Sequence, residues 1–372
     1  MNAHTHAAMT LFRSFADDLP LREWLETKIW PREAKLTGED VYWGTKIACL
    51  EMIHSGTTCF NDMYFHTDRA AQAVQEMGIR AVLSEGIIDR GDPALGGAQL
   101  KTALDMVRRI QALRSSRVVP ALGPHAIYTV SGETLQAVHE VSDAKGFLVH
   151  IHLAETQGEV DDCVAMHGVR PGKYLESLGV ISRKLVAAHG CWLEAEDIEL
   201  LAGDGAKIVH CPVSNMKLAT NRAMPYARLK EAGVLLALGT DGAASNNNLD
   251  MFESMKFAAL LQKFATGDPT VAPAGQMLQM ATLGGARALG VDAGIIEEGR
   301  LADIALLDLR RAELTPRFDL ESLLVYAANG SVVDTVICDG EVVMRGRKVK
   351  GEADILQRAA EVAQEAAARG GA

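Results

Sequence analysis

Apolar runs rich in Val, Ile and Leu recur along residues 1–293, separated by stretches in which apolar positions fall three and four apart. The runs at 57–62, 80–88, 118–123, 147–152, 184–189, 206–211 and 234–239 have the pattern of parallel strands covered by helices on both faces. Between them, 99–114 carries Leu100, Leu104, Val107, Ile110 and Leu113 on one helical face, and 250–264 repeats that spacing. Seven strands with helices between them predict an α/β fold, a (β/α)8 TIM-like barrel. The eighth strand would have to lead into Asn2-Ala3-His4-Thr5-His6, where the chain has almost no residues left to build it. The expectation is therefore a barrel whose N-terminal part is missing.

The pattern changes at Gly294. Gly294 to Gly299 has turn spacing, 302–308 and 335–344 read as strands, and Asp339-Gly340 inside the second is a hairpin signal. A small β appendage over 294–352 thus follows the barrel of 1–293. The last stretch, 353–372, is rich in Ala, Glu and Arg and is predicted as a terminal helix.

Composition narrows the class without changing this picture. With 48% apolar and 23% charged residues in 372, the chain has the make-up of an ordinary globular protein with a deep core. Its net charge of −11, with no basic cluster longer than 345–350, argues against nucleic acid as a partner. The six cysteines, Cys49, Cys59, Cys163, Cys191, Cys211 and Cys338, contain no C-x-x-C pair, so a disulfide framework and a zinc knuckle are both unsupported and a reducing cytoplasm fits. No apolar run approaches the roughly 18 residues of a membrane span, and Met1 is followed by polar residues rather than by a leader. No interface signal stands out, which leaves a homo-oligomer open.

The chemistry-bearing residues lie at the strand ends. His4-Thr5-His6 puts two imidazoles on one side of extended backbone, where they can share a metal. Alone such a pair is weak evidence, because N-terminal histidines are often only exposed. Support comes from His152 and His189, which each close a predicted strand, and from Asp241, which follows another, the positions where barrel enzymes collect their functional groups. His4, His6, His152 and Asp241 make a site of three imidazoles and one carboxylate, with room for a water whose pKa the metal lowers. Zinc is the default ion, with iron and manganese compatible with the same ligands. Glu155, three residues after His152, could merely complement a helix dipole, but beside such a site it can deliver a proton to a C=N bond under attack.

At this point the motifs resemble a family. Asn2-Ala3-His4-Thr5-His6, His152-Leu153-Ala154-Glu155, Ala188-His189-Gly190 and the stretch from Gly239 through Asp241 to Asn246 are similar to the signatures of the amidohydrolase superfamily, and within it of the 5-methylthioadenosine/S-adenosylhomocysteine deaminases. Trp30-Pro31-Arg32-Glu33, Gly123-Pro124-His125, His210-Cys211-Pro212-Val213-Ser214-Asn215 and the run from Asn246 to Glu253 add to the likeness, which covers essentially the whole chain. The resemblance implies one divalent metal on His4, His6, His152 and Asp241. It implies that Glu33 bonds the ribose hydroxyls, that His125 contacts the nucleoside, that Glu155 passes a proton to the purine ring, and that His189 orients the attacking water or the developing oxyanion. Glu155 and Asp241 would also touch the substrate.

The implied reaction is hydrolytic deamination of methylthioadenosine, S-adenosylhomocysteine or adenosine to the inosine analogue and ammonia. Asp241 takes a proton from the metal-activated water, and Glu155 protonates the ring nitrogen. Arg90 is a candidate for binding the carboxylate of S-adenosylhomocysteine. Duller roles exist for some of these residues: Glu33 follows Pro31 at a helix start, His125 could be a plain loop residue, His210 reads as packing near its strand, and Cys211 as a small buried apolar group. Related readings are an aminohydrolase or chlorohydrolase of guanine or triazine rings and, more remotely, a non-catalytic scaffold. The chain departs from the family at its start. Relatives carry an N-terminal β segment and then the first barrel strand, and without them His4 and His6 would hang on a frayed terminus and the appendage would be an unpaired half-sandwich.

Overall fold

The computed structural model describes residues 1–370. Its centre is a ring of eight strands in chain order, each parallel to the next: β1 (Asn2–Thr5), β2 (Cys59–Tyr64), β3 (Arg80–Ile87), β4 (Val118–Pro124), β5 (Val149–Leu153), β6 (Leu185–His189), β7 (Lys207–His210) and β8 (Leu235–Leu238). All seven predicted inner strands are present. In β2, β5, β6 and β7 every residue is buried, as strands flanked by side-chain layers on both faces must be. The outer layer includes the helices Gly38–His54, Pro93–Ala112 and Met251–Thr266, the last two close to the ranges that apolar spacing predicts.

The sequence-based expectation fails at the first strand. Four residues suffice for β1, because its side chains supply bonds that a longer backbone ladder would otherwise make. On one side β1 pairs in parallel with β2, and the Asn61 amide donates to the Ala3 carbonyl at 3.0 Å. On the other side the Asn2 amide donates to Thr240 Oγ1 at 2.7 Å, its oxygen accepts the Thr240 N–H at 3.0 Å, and the Asp241 N–H donates to the His4 carbonyl at 3.0 Å. His4 is wholly buried rather than frayed, with 0% exposure.

Beyond the barrel, β9 (Ile304–Leu307), β10 (Val333–Cys338) and β11 (Glu341–Met344) form a three-stranded antiparallel sheet with β10 in the middle. Asp339 and Gly340 join β10 to β11 with φ of 54° and 81°, the paired positive values of a two-residue hairpin turn. The hairpin signal inside the predicted run 335–344 thus separates two strands. The buried Arg80 guanidinium of β3 ties the sheet to the barrel through Asp303 at 3.3 Å and Asp339 at 3.1 Å. The terminal helix Glu352–Gly370 lies against Gly38–His54, with Arg369 paired to Asp40. Among the described residues no helix is long and apolar enough to cross a membrane.

The closure between β8 and β1 leaves no space at Gly239, where a Cβ would stand 2.8 Å from the His4 carbonyl oxygen and 2.9 Å from its nitrogen. Backbone cannot yield as a flexible side chain does. Gly239→Ala should lower unfolding free energy by about 1–3 kcal/mol, the usual cost of overpacking, and denaturant titration reads it; unchanged stability would show that the two strands can part freely.

Candidate active site

Parallel strands put all their C-terminal ends on one face, so residues far apart in sequence meet there. His4 lies in β1 and His6 just beyond it, His152 in β5, and Asp241 follows β8. His6 Nε2 and His152 Nε2 are 3.2 Å apart, and Asp241 Oδ1 is 3.5 Å from His4 Nε2 and 3.4 Å from His6 Nε2. Four ligand atoms about 2.1 Å from a tetrahedral zinc ion would be about 3.4 Å from one another, so these spacings suit a metal.

The proton positions make the same point. His6 Nδ1 lies 2.6 Å from the Met63 carbonyl and His152 Nδ1 lies 2.7 Å from the His125 carbonyl. A carbonyl can only accept, so each neutral ring carries its proton on Nδ1 and turns a bare lone pair inward from Nε2. The 3.2 Å contact between the two Nε2 atoms is therefore a meeting of two lone pairs, which a cation between them would relieve. His4 Nε2, buried with no hydrogen-bond partner, points to the same need. Two sets of ligand atoms here lie close enough to share a metal ion, His4 with His6 and Asp241, and His4 with His152 and His189.

Two more groups close in on this cluster. His189 has left-handed backbone at φ 75°, and its ring stacks near that of His152 with centres 5.4 Å apart. The Asn215 amide nitrogen, which can only donate, is 3.0 Å from His189 Nδ1, so the His189 proton belongs on Nε2. Glu155 Oε1 is 3.7 Å from His189 Nδ1. The turn before Glu155 is held by Glu159, whose carboxylate accepts the N–H groups of Ala154 at 2.8 Å and Glu155 at 2.9 Å. On the other side, Ser214 donates to Asp241 Oδ2 at 2.6 Å and the Gly242 N–H donates to Oδ1 at 2.7 Å.

A cavity above the cluster is lined by His6, His152, His189, Glu155 and Asp241 and walled by Trp30, Phe65 and Tyr128. Glu33 and His125 face the same cavity, Glu33 partly buried on the helix Trp30–Glu33 and beside the Tyr64 hydroxyl. His125 Nδ1 donates to Thr129 Oγ1 at 2.9 Å, since that hydroxyl spends its own proton on the Ala126 carbonyl, and Nε2 is left as an acceptor. Arg90 lies outside this cavity, on the rim of a wider groove, with its guanidinium 5.7 Å from the centre of the Trp30 ring. His210 is buried in β7 with both ring nitrogens unpartnered, and Cys211 is a buried thiol whose pKa burial pushes up. Neither lines the cavity.

Burial sets the electrostatics. It lowers the pKa of His4 against the pull of Asp241, takes His152 well below the ordinary imidazole range, and brings His125 and His189 each down to about 3. The Glu155 carboxyl is raised, first by burial and then by the charges of Asp241 and Glu159. Burial also pushes on Asp241, but His4, His6 and His189 outweigh it and hold that carboxyl well below the carboxylate range.

Residues that sequence reasoning missed hold the others in place: His150, Glu159, Ser214 and Asn215. Ser214 and Asn215 stand inside the recognised motif from His210 to Asn215, where spacing alone gives no partner. His150 carried a readable signal, since it precedes His152 by two residues and in a strand must share its face.

Comparison with known proteins agrees with this geometry. A sequence model of the amidohydrolase family matches residues 1–343. The chain is 52% identical over 371 residues to the 5'-deoxyadenosine deaminase of Methanospirillum hungatei, covering 100% of this chain and 83% of that one. It is 50% identical over 366 residues to 5-methylthioadenosine/S-adenosylhomocysteine deaminase 1 of Archaeoglobus fulgidus, covering 98% and 86%. The crystal structure of an adenosine deaminase from Xanthomonas campestris with bound zinc is similar with a TM-score of 0.93 and 38% identity, covering 99% of this chain and 84% of that one.

Depressed pKa values keep the His4 and His152 rings neutral, and so able to ligate, as the solution is acidified past the ordinary value of about 6.5. Protein dialysed at about pH 6 should keep the metal content it has at about pH 7.5, and lose it only at lower pH. Atomic absorption on dialysed samples checks this, and loss of half the metal near about pH 6.5 would contradict it.

Proposed function

Because the chain belongs to the amidohydrolase family, we propose that it is a metal-dependent deaminase of 5′-substituted adenosines, releasing ammonia and the inosine analogue. Methylthioadenosine, S-adenosylhomocysteine and 5′-deoxyadenosine are the substrates in view. One observation supports the reading: His6, His152, Asp241 and Glu155 line one cavity, with His4 Nε2 3.5 Å from Asp241, in a chain about half identical to deaminases of such nucleosides.

Zinc on His4, His6, His152 and Asp241 would supply Lewis acidity, lowering the pKa of a water in the site toward neutrality. Asp241, held ionised, accepts the proton that this water gives up on attacking the amino-bearing purine carbon. Glu155, held protonated, gives its proton to the neighbouring ring nitrogen, which must gain one as the carbon becomes tetrahedral. The His189 Nε2–H donates to the added oxygen as charge develops there. The proton taken up by Asp241 then leaves with the amine as ammonia, and the proton of the added hydroxyl returns to Glu155 as the C=O bond forms.

Substrate binding falls to the cavity walls. The Glu33 carboxylate suits two adjacent ribose hydroxyls, and His125 Nε2 is an acceptor for a nucleoside N–H or O–H. Trp30 and Phe65 cover the purine and exclude water. Glu33 favours nucleosides over guanine or triazine rings, which carry no sugar for it to bind. Arg90, on the outer rim, suits a carboxylate at the far end of a long 5′ substituent.

The deciding assay follows loss of absorbance in the adenosine band on adding each nucleoside to zinc-loaded protein, with a chelator-treated control. Chelator-sensitive conversion to the inosine product is expected; no conversion of any of the three nucleosides would remove the substrate assignment. Glu155→Gln should retain its zinc and lose about 10²–10⁴-fold in kcat, whereas Asp241→Asn should lose metal and activity together. Parent-like turnover by Glu155→Gln would take that residue out of the reaction.

A second comparison tests the rim. Arg90→Gln should raise KM about tenfold for S-adenosylhomocysteine, one charged hydrogen bond being worth roughly 1.5–3 kcal/mol, and leave 5′-deoxyadenosine, which has no carboxylate, unchanged. Equal effects on both substrates would mean that Arg90 acts only through Trp30.

A further inference from the structure

Two histidines of β5 point into the barrel, and only one of them belongs to the proposed metal set. His150 is fully buried, with 0% exposure. Its Nε2 lies 2.7 Å from His4 Nδ1, and its Nδ1 lies 3.4 Å from Ser84 Oγ. Ser84 in turn donates to the Asp62 backbone carbonyl at 2.7 Å.

The last acceptor fixes the direction of every proton in this series. A carbonyl has no proton to give, so the Ser84 hydroxyl spends its own on Asp62 and can only accept from His150. His150 then carries its proton on Nδ1, which makes its Nε2 an acceptor. His4 must donate to that Nε2 from Nδ1, and the His4 Nε2 lone pair is left facing His6, His152 and Asp241. The opposite arrangement, with the proton on His150 Nε2, leaves His150 Nδ1 without a donor and puts a proton on His4 Nε2, which would bar it from a metal.

We propose that His150 is a positioning residue that fixes His4 as a metal ligand, through a one-way hydrogen-bond series from His4 to His150 to Ser84 to the Asp62 carbonyl. His6 and His152 are each oriented by a backbone carbonyl, whereas the Nδ1 of the buried His4 meets His150 instead. His150 and Ser84 relay the carbonyl to it. Strands β1, β5, β3 and β2 are thereby joined across the barrel interior by side chains alone. The inference rests on the metal reading of the site and is independent of the substrate.

The test compares the parent with His150→Asn, which is too short to reach His4, and His150→Gln, whose amide oxygen can still accept from His4 Nδ1. Two quantities are read on the full chain: the rate at which bound zinc passes to a competing chelator, and the rise in Tm that zinc produces over the metal-free protein. His150→Asn should release zinc about 10–100-fold faster, the usual cost of losing the partner of a ligating histidine, and its zinc-induced rise in Tm should shrink. His150→Gln should recover most of both. A role in packing alone would instead lower Tm equally with and without zinc. Variants that hold zinc as long as the parent, with the same rise in Tm, would overturn the role of His150, whereas a parent that takes up no zinc would overturn the metal reading itself.

Discussion

The bond from the Asp241 N–H to the His4 carbonyl, 3.0 Å long, is the constraint on which the rest of the structure depends. It closes the barrel between β8 and β1, and the two residues it joins are both candidate ligands. Closing the ring and assembling the site are therefore one event, so any change that opens the seam also separates His4 from Asp241. This accounts for the density of bonds there. Asn2 uses both ends of its amide on Thr240, and Asn246 donates to the Thr240 carbonyl at 2.6 Å, so the loop carrying Asp241 is held from two sides. Four residues of β1 hold because they are buried and bonded on both sides, at a place where an exposed terminus would fray.

The seam also explains what was legible in the sequence and what was not. Inner strands are readable because burial on both faces forces consecutive apolar residues, and the two-residue hairpin is readable because Asp339-Gly340 tolerates positive φ. The strand-end positions of His152, His189 and Asp241 follow from that framework, and the structure brings all of them to one cluster with His4 and His6. β1 was not legible. Its stability comes from the side chains of Asn2, Asn61 and Thr240, contacts across more than fifty residues of sequence that no local pattern records. Ser214 and Asn215 were recognised only as part of a motif. Their partners, Asp241 and His189, belong to other strands, and spacing along the chain carries no trace of such pairing.

The same long-range bonds set the charge state of the site. A cluster of imidazoles around a buried carboxylate could hold protons in many ways, and most of them would exclude a metal. Carbonyl acceptors at Met63 and His125, and at Asp62 through His150, reduce these to one arrangement with three inward lone pairs. Burial adds to this by disfavouring the charged imidazolium forms. The site is thus prepared for a cation by the backbone of the barrel itself, and the loops are free to shape the cavity walls.

In the proposed reaction the two acidic groups, Asp241 and Glu155, divide the work by environment rather than by type. Asp241 accepts hydrogen bonds from Ser214 and the Gly242 N–H, and both favour its ionised form. Glu155 is buried near two other carboxylates, those of Asp241 and Glu159, and its charged form is disfavoured. A pair whose pKa values are driven apart in this way can hold a base and an acid side by side at one pH. Hydrolytic deamination needs that pair, because the attacking water must lose a proton while the ring nitrogen gains one. Glu159 serves both ends of the arrangement, since its carboxylate orients Glu155 through the backbone while its charge helps to keep the Glu155 proton in place.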